Sequence, residues 1–185
     1  MAVSEEPIDR SGQLVRLREV TRADAERFDA WRADPANAGE FNDFGVVSGS
    51  LVAAIEDGRR FATEELGRVV VERLDDGEVI GDMSWHPVSY GPNEGSRAFN
   101  FGISLHPDAR GHGYGVEAQR LLAALLFDLF DVSRIEAATD VENIAEQRAL
   151  QKAGFTREGV LRQAQHRGGT HHDLVLYSLV RDDPR

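Results

Sequence analysis

The pattern of hydrophobic and polar positions divides the chain into segments with the period of a strand or of a helix. Apolar and polar residues alternate in the predicted strands, whereas apolar residues recur every three to four positions in the predicted helices. The predicted strands cover residues 13–20, 68–74, 78–88, 97–105, 134–139, 155–165 and 173–180. The predicted helices cover residues 21–32, 50–59, 116–130 and 143–153. The order β-α-α-β-β-β-α-β-α-β-β predicts a mixed sheet flanked by helices.

Cap and turn signals support several of these boundaries. Thr21 and Asp24 have the spacing of a capping box at the start of the first helix. The run Asp75-Asp76-Gly77 is a tight-turn signal that makes the two strands around it a hairpin. Gly154 ends the last helix. Residues 1–12 lack a periodic pattern, which predicts a flexible N-terminal tail.

Composition limits the class of protein. A chain of 185 residues with 41% hydrophobic and 29% charged residues is expected to form one domain, here residues 13–182, with a substantial core. The chain has no cysteine, which excludes disulfides, thiolate zinc sites and a cysteine nucleophile, and a reducing, cytoplasmic compartment fits best. No apolar signal segment and no membrane-spanning run is evident.

The net charge of the chain argues against some classes of partner. The formal net charge is −11, whereas phosphate-backbone binding needs clustered Lys and Arg, so we expect no nucleic-acid partner. A cationic substrate fits this charge better, although an acidic balance also serves solubility alone.

The run Arg110-Gly111-His112-Gly113-Tyr114-Gly115 carries the main chemical signal, because it joins a predicted strand to a predicted helix. Glycines allow backbone N–H groups to converge, and the positive end of the helix adds to them, so such a loop can bind phosphate or pyrophosphate. A Walker loop would end in Gly-Lys-Ser/Thr, and a dinucleotide fingerprint would read G-x-G-x-x-G in an opening βαβ unit. The sequence matches neither pattern. A glycine-rich turn that binds nothing is the remaining alternative.

Two motifs in the chain resemble those of the GNAT acyltransferase family. Arg110-x-x-Gly113-x-Gly115 is similar to the family's R/Q-x-x-G-x-G/A signature. Asn143, followed by Lys152-Ala153-Gly154-Phe155, is similar to its second block. The resemblance extends over about residues 14–180 and is closest to the branch that acetylates the N-termini of ribosomal proteins. It implies an α/β (α+β) GNAT fold, with a mixed, mostly antiparallel central sheet of six to seven strands and about four flanking helices.

The resemblance also implies acetyl-CoA as co-substrate and a set of contacts for it. The backbone of Arg110 to Gly115 would wrap the pyrophosphate, with His112 and Tyr114 as loop residues that need no catalytic role. The main chain of Ile103 and Leu105 would pair with pantetheine like an added strand. The Ile103 N–H would polarise the thioester carbonyl. Asn143 would lie beside the pantetheine arm, cap the last helix, or do both.

The family's catalytic side chains do not carry over directly. Relatives often have a glutamate at the position of Asn100, and a tyrosine or serine at the positions of Leu150 and Glu146. The remaining titratable candidates are His86, Glu146 and His172, and histidine is the side chain that titrates nearest neutral pH. Each also has a simpler interpretation, as a strand-end residue, a cap partner and an exposed turn residue, respectively. His166, His171 and His172 lack a metal-ligand spacing, so no metal is expected.

These observations predict an acetyl-CoA-dependent N-acetyltransferase in which a primary amine attacks the thioester directly in a ternary complex. The acceptor is left open between a protein α-amine and a small amine. Residues 31–61 and 88–97 are expected to wall its cleft. The alternative is a sensor domain that binds acetyl-CoA without turnover. Neither a membrane nor a nucleic acid is an expected partner, and a homodimer is compatible with the sequence.

Overall fold

The computed structural model describes residues 7–34, 37, 39–46 and 49–183. Within these ranges the chain forms one sheet of eight strands and four α-helices. The strands are β1 (Asp9–Ser11), β2 (Val15–Arg18), β3 (Gly67–Arg73), β4 (Val79–Ser89), β5 (Arg97–Leu105), β6 (Arg134–Asp140), β7 (Thr156–Arg167) and β8 (Thr170–Val180). The helices are α1 (Arg22–Ala33), α2 (Leu51–Glu56), α3 (Tyr114–Leu129) and α4 (Ile144–Ala153).

The sheet is mixed and mostly antiparallel, as predicted. Its strand order is β1-β2-β3-β4-β5-β6-β8-β7, and β5 and β6 are its one parallel pair among the described residues. The sheet has eight strands where six to seven were expected, and the difference is β1. Residues 9–11 fall within the predicted flexible tail, but they pair with Arg16–Arg18 of β2. A polar three-residue strand has no readable period, and residues 1–6 lie outside the described ranges.

Local signals explain where the helices begin. The predicted capping box is present in α1, because the Thr21 hydroxyl accepts from the Asp24 N–H at 3.3 Å while the Asp24 carboxylate accepts from the Thr21 N–H at 2.9 Å. The second predicted helix, 50–59, ends earlier, at Glu56. Helix α3 begins two residues before its predicted start, directly after Gly113.

Hydrophobic cores lie on both faces of the sheet. Helices α3 and α4 cover one face, where the rings of Phe99 and Phe130 lie 5.0 Å apart and Trp85 is fully buried. Helices α1 and α2 cover part of the other face through a smaller cluster around Phe28 and Val70. Each fully buried large side chain contributes about 1.5–3 kcal/mol relative to its exposed state.

The parallel strands β5 and β6 separate soon after they meet. Their register contains the pairs Phe99↔Ile135 and Asn100↔Glu136, whereas β5 continues to Leu105 and β6 to Asp140. A wedge therefore opens toward the carboxyl ends of both strands, and it exposes unpaired main-chain groups along β5. Because α3 follows β5 and α4 follows β6, the starts of both helices lie at this end of the sheet.

Candidate functional site

The glycine-rich loop between β5 and α3 has the backbone that an anion site requires. Gly111 and Gly113 have φ values of 83° and 88°, in the left-handed region that disfavours a side chain. Gly113 is the N-cap of α3, so the first-turn N–H groups of the helix lie directly after it. The loop thus presents several N–H donors at the positive end of a 16-residue helix. This arrangement suits a phosphate or pyrophosphate group.

The side chain of Arg110 has a structural partner within the chain. Its Nε donates to the carbonyl oxygen of Leu105 at 3.0 Å, and its Nη2 donates to that of Asn37 at 3.1 Å. Arg110 therefore ties the segment after α1 to the end of β5. The backbone of the loop, rather than this guanidinium, is the part available to an anion.

The side chains around the helix start contact one another and the end of β3. The rings of His112 and Tyr114 lie 5.8 Å apart, and the Arg73 guanidinium lies 5.8 Å from the Tyr114 ring centre. A Cβ added at Gly115 would lie 3.5 Å from Leu105 Cδ1 and 3.9 Å from Ile103 Cδ1. These two side chains therefore pack under α3.

Glu117 in the first turn of α3 was not foreseen. Its carboxylate accepts hydrogen bonds from the backbone N–H groups of Gln13, Leu14 and Val15 at 2.8, 2.7 and 2.8 Å. A Cβ added at Gly12 would lie 2.5 Å from Glu117 Cδ, so this segment can approach only because it has a glycine there. Glu117 therefore holds the start of β2 against the helix that carries the loop.

Asn143 is the N-cap of α4, as one of its two interpretations predicted. Its Oδ1 accepts from the Glu146 N–H at 3.2 Å, and its Nδ2 donates to Thr139 Oγ1 at 3.0 Å. The reciprocal bond of a capping box is absent, because the Asn143 N–H donates to the carbonyl of Asp140. The expectation that Glu146 serves as the cap partner through its side chain is therefore wrong.

The Glu146 side chain instead faces α3. Its Oε1 accepts from Gln119 Nε2 at 2.7 Å, and Gln119 has no exposed surface. Burial raises the pKa of Glu146 from its ordinary value of 4.5 to about 7, although the hydrogen bond from Gln119 acts in the opposite direction. Glu146 is thus a carboxyl group that can hold or release a proton near neutral pH. Gln119 carried no signal in the sequence.

Asn100 has a carboxylate beside it that no local sequence pattern indicates. Asn100 Nδ2 lies 3.4 Å from Glu136 Oε1 on β6. Glu136 also accepts from the Tyr90 hydroxyl at 2.6 Å and from Arg134 Nε at 2.9 Å. His86 is exposed and pairs with Asn100 in the register between β4 and β5, so it lies at the closed end of the wedge.

His172 lines a cleft of ≈ 520 Å³ on the face of the sheet away from α3 and α4. The cleft is lined by Gly39, Glu40, Asp43, Arg167, Gly168, Thr170 and His172. Three residues of the first predicted wall, 31–61, line this cleft, and the turn between β7 and β8 lines it as well. His172 Nδ1 lies 3.4 Å from Asp140 Oδ2, so His172 is not a free turn residue.

The predicted catalytic residues therefore lie at two different ends of the wedge between β5 and β6. Asp140 ends β6, and Asn143 and Glu146 begin the next helix, so these residues and His172 share the open end of the wedge. His86 lies at its closed end. Across the described ranges, no group of three or more His, Asp or Glu side chains is arranged to hold a metal ion. No helix in these ranges is long and apolar enough to cross a membrane.

Comparisons with known proteins agree with this geometry. Residues 15–156 match the family model described as an acetyltransferase (GNAT) domain. An uncharacterized N-acetyltransferase of Bacillus subtilis, YoaA, is 32% identical over 111 residues, a match that covers 60% of each chain. The match thus spans less than two thirds of the length of that relative.

Solved structures share the fold at low identity. Mycobacterium smegmatis RimJ in complex with CoA-disulfide superposes with a TM-score of 0.73 and 22% identity, over 94% of this chain and 88% of RimJ. The ribosomal-protein-S5-alanine acetyltransferase of Vibrio fischeri gives a TM-score of 0.74 and 19% identity, over 96% of this chain and 99% of that one. Together with the family model, which matches most of the chain, these similarities show that the chain belongs to the GNAT acetyltransferase family.

Proposed function

We propose that this protein transfers the acetyl group of acetyl-CoA to a primary amine, which attacks the thioester directly in a ternary complex. The observation that carries the proposal is the wedge between β5 and β6, with a left-handed glycine loop at one side and the capped start of α4 at the other. Membership of the GNAT family and the CoA-disulfide bound to RimJ support CoA as the donor.

We assign the binding of acetyl-CoA to the backbone of β5 and of the glycine-rich loop. The N–H groups of Arg110 to Gly115 would hold the pyrophosphate, since two glycines in left-handed conformation and a helix start lie there. Strand β6 pairs only with Phe99 and Asn100 of β5, so it leaves the main chain of Ile103 and Leu105 unpaired on that edge. Pantetheine amides can pair with it as an added strand would. The Ile103 N–H would then polarise the thioester carbonyl, a contribution typically worth a few kcal/mol in acyl transfer.

Glu146 is the group that we assign to the leaving thiolate. A pKa of about 7 leaves a large fraction of this carboxyl protonated at neutral pH, so a proton is available without a charged partner. Its place in the first turn of α4, next to Asn143, puts it at the open end of the wedge.

The cleft on the other face suits the acceptor. Glu40 and Asp43 lie in its wall, which favours a cationic or amine-bearing substrate. An α-amine with a pKa near 7.8 costs about 1 kcal/mol to deprotonate at pH 7, whereas a lysine side chain costs about 4.6 kcal/mol. We therefore infer a protein α-amine or a small amine of low pKa. The V. fischeri structure is that of a ribosomal-protein-S5-alanine acetyltransferase, and an alanine residue has no side-chain amine, which supports the first kind of acceptor.

Steady-state kinetics on the purified protein test this proposal. Thiol release from acetyl-CoA is followed with Ala-Ala-Ala-amide, spermidine and Nα-acetyl-lysine amide as acceptors. Direct attack predicts intersecting double-reciprocal lines when both substrates are varied, and parallel lines would indicate an acyl-enzyme instead. Stabilisation of the protein by CoA without thiol release for any acceptor would favour the sensor alternative and overturn the proposal.

A further inference from the structure

We propose that His166 and His171, which face each other across the hairpin of β7 and β8, bind one divalent transition-metal ion between their imidazole rings. Imidazole nitrogen suits Cu²⁺, Ni²⁺ and Zn²⁺, and the usual order of affinities places Cu²⁺ first among them. The spacing of the histidines in the sequence gave no reason to expect a metal, whereas the strand register brings these two together.

The hairpin places the two histidines directly opposite each other. His166 of β7 pairs with His171 of β8 in the antiparallel register, next to the pair Arg167↔Thr170 that closes the turn. The turn consists of residues 168–169, both glycine, with φ values of 57° and 82°. Two positive φ values are typical of the type I′ turn, which sets the register of a two-residue hairpin. Because opposite residues have Cβ atoms about 4.5–5.5 Å apart, two imidazoles at this pair can reach one ion.

Side-chain alternation separates the two histidines from the candidate acceptor site. Arg167 and Thr170 line the ≈ 520 Å³ cleft, and successive residues of a strand point to opposite faces. His166 and His171 therefore point to the other face of the hairpin, where both are exposed. An ion reaches them from solvent without entering the cleft.

The distance between the two rings fits a shared ion. The ring centroids of His166 and His171 lie 5.1 Å apart, with an angle of 65° between the ring planes. Two imidazoles that bind a tetrahedral ion at nitrogen distances of about 2.0–2.1 Å have ring centres about 5 Å apart. The observed separation therefore requires no movement of the strands. Rotation about the broad χ2 torsion of each side chain is enough to aim one nitrogen of each ring at a common point.

The ring nitrogens of this pair are free to bind an ion. Among the described residues, neither ring has a hydrogen bond or an ion pair, and their mutual contact is the only aromatic contact that either ring makes. The chain has six histidines, and within the described ranges no second histidine lies opposite any of the other four, His86, His106, His112 and His172. The pair is thus the one place in these ranges where two imidazoles face each other across a strand pair.

The charged groups near the pair favour a cation with water as its other ligands. The guanidinium of Arg167 points to the cleft face and donates to Asp140 at 2.7 Å. Asp173 follows His171 by two positions, on the same face of β8, and its carboxylate accepts from the Gln163 N–H at 2.7 Å. No group of three His, Asp or Glu side chains is arranged around a metal position in the described ranges, so water completes the coordination. The net charge of −11 attracts cations to the surface.

A bound ion would hold the tip of the hairpin together. The ladder between β7 and β8 is interrupted between Leu161 and Gln165, and three pairs remain at the tip, from Gln165↔His172 to Arg167↔Thr170. A short ladder of this kind opens locally at a low cost in free energy. The histidine pair is the middle one of the three, so an ion bound there links both strands of the tip.

Titration calorimetry tests the site on the full chain without a polyhistidine tag. We expect the wild type to bind one Cu²⁺, to bind Ni²⁺ and Zn²⁺ more weakly, and to bind no Mg²⁺. His166→Gln and His171→Gln each leave one imidazole, so each should weaken Cu²⁺ binding about 10²-fold, the lower end of the gain from joining two ligands. His86→Gln, which changes an exposed histidine of β4, is the matched control and should bind as the wild type does.

A spectroscopic readout and an exchange readout identify the ligands. The electron paramagnetic resonance spectrum of the Cu²⁺ complex should show two imidazole nitrogens in the wild type and one in His171→Gln. Zn²⁺ should slow amide hydrogen exchange at the hairpin tip of the wild type and leave that of His171→Gln unchanged. Without metal, the two proteins should unfold at the same temperature, because the substituted side chain is exposed.

These measurements need no acetyl-CoA, so they test the metal site separately from the proposed acetyl transfer. Unchanged Cu²⁺ affinity in either His166→Gln or His171→Gln would show that the ion binds elsewhere and would overturn the site. A single imidazole nitrogen in the wild-type spectrum would do the same. So would Zn²⁺ protection of the tip that persists in His171→Gln.

Discussion

The carboxyl group of Glu146 accepts a hydrogen bond of 2.7 Å from the side-chain amide of Gln119, a residue with no exposed surface. This pair joins α3 to α4 at the open end of the wedge. The side-chain oxygen of Gln119, Oε1, is buried and has no hydrogen-bond partner among the described residues. A protonated Glu146 can donate to such an acceptor, and an ionised one cannot.

Replacing Glu146 by Gln should therefore make stability less dependent on pH. The pKa of Glu146 is raised to about 7 in the folded protein. The stability that the protonated carboxyl contributes is therefore complete below pH 4.5 and is lost as the pH rises through about 7. The difference from 4.5 corresponds to about 3 kcal/mol. Glu146→Gln stays neutral, so above about pH 8 it should be more stable than the wild type by up to this amount.

Urea denaturation at about pH 5 and at about pH 9 measures this effect. The exposed neighbour Glu142, changed to Gln, is the matched control and should show no such difference. The expected activity of Glu146→Gln is reduced, because the amide cannot give a proton to the thiolate. If Glu146→Gln changed the free energy of unfolding equally at both pH values, the result would contradict the raised pKa of Glu146.

Replacing Gly113 by Val should abolish CoA binding. The φ of 88° at Gly113 is unfavourable for a β-branched side chain, and the loop needs close backbone approach. Gly58→Val after α2 is the matched control, since Gly58 has a φ of 76° and an added Cβ there would meet no atom within 4 Å. CoA at about 100 times its dissociation constant should stabilise the wild type and the control by about 2.7 kcal/mol.

Thermal shift or denaturation with and without CoA reports this stabilisation. Both glycine variants are expected to lose intrinsic stability, because both place a side chain in the left-handed region. The comparison therefore depends on the gain with CoA and not on the starting stability. Equal stabilisation of the two variants by CoA would show that the loop is not part of the CoA site.

Replacing Glu117 by Gln should loosen the segment that precedes β2. The carboxylate accepts three backbone hydrogen bonds, and the amide of Gln would turn a donor toward at least one of those N–H groups. An unsatisfied N–H costs about 1–3 kcal/mol. Hydrogen exchange at Leu14 and Val15 should accelerate in the variant, and Glu142→Gln should leave it unchanged. Wild-type exchange rates at both positions would argue against this anchoring role.

An α-amine should be a better acceptor than a lysine side chain on matched peptides. At pH 7 the neutral fraction of an α-amine exceeds that of lysine by more than about 10²-fold. Ala-Ala-Ala-amide and acetyl-Ala-Lys-Ala-amide should therefore differ in kcat/KM by a factor of this order. A preference for the lysine peptide would show that the cleft selects its acceptor by contacts that outweigh this difference.

Local signals in the sequence predicted the local structure well. The strand 97–105 matches β5 at both ends, the capping box of α1 is present, and Gly113 of the loop motif adopts the left-handed conformation. Each of these features depends on residues within a few positions of one another, and that range is where sequence patterns carry information.

Contacts between distant residues account for what the sequence missed. Glu117 binds the backbone about 100 positions earlier, and Asp140 meets His172 only because β6 pairs with β8. Gln119 gave no signal, since a single polar residue on an apolar helix face has no partner that can be read from spacing. The assignment of Glu146 as a cap partner failed for the same reason, because its true partner lies on another helix.

Transfer of a labelled acetyl group tests the central claim most directly. The protein is incubated with acetyl-CoA deuterated in the acetyl group and with Ala-Ala-Ala-amide, and peptide and CoA are quantified by mass spectrometry. The account predicts one labelled acetyl group on the peptide nitrogen for each CoA released, with Gly113→Val producing neither. CoA binding without a labelled product from this peptide or from any amine in the acceptor panel would contradict it.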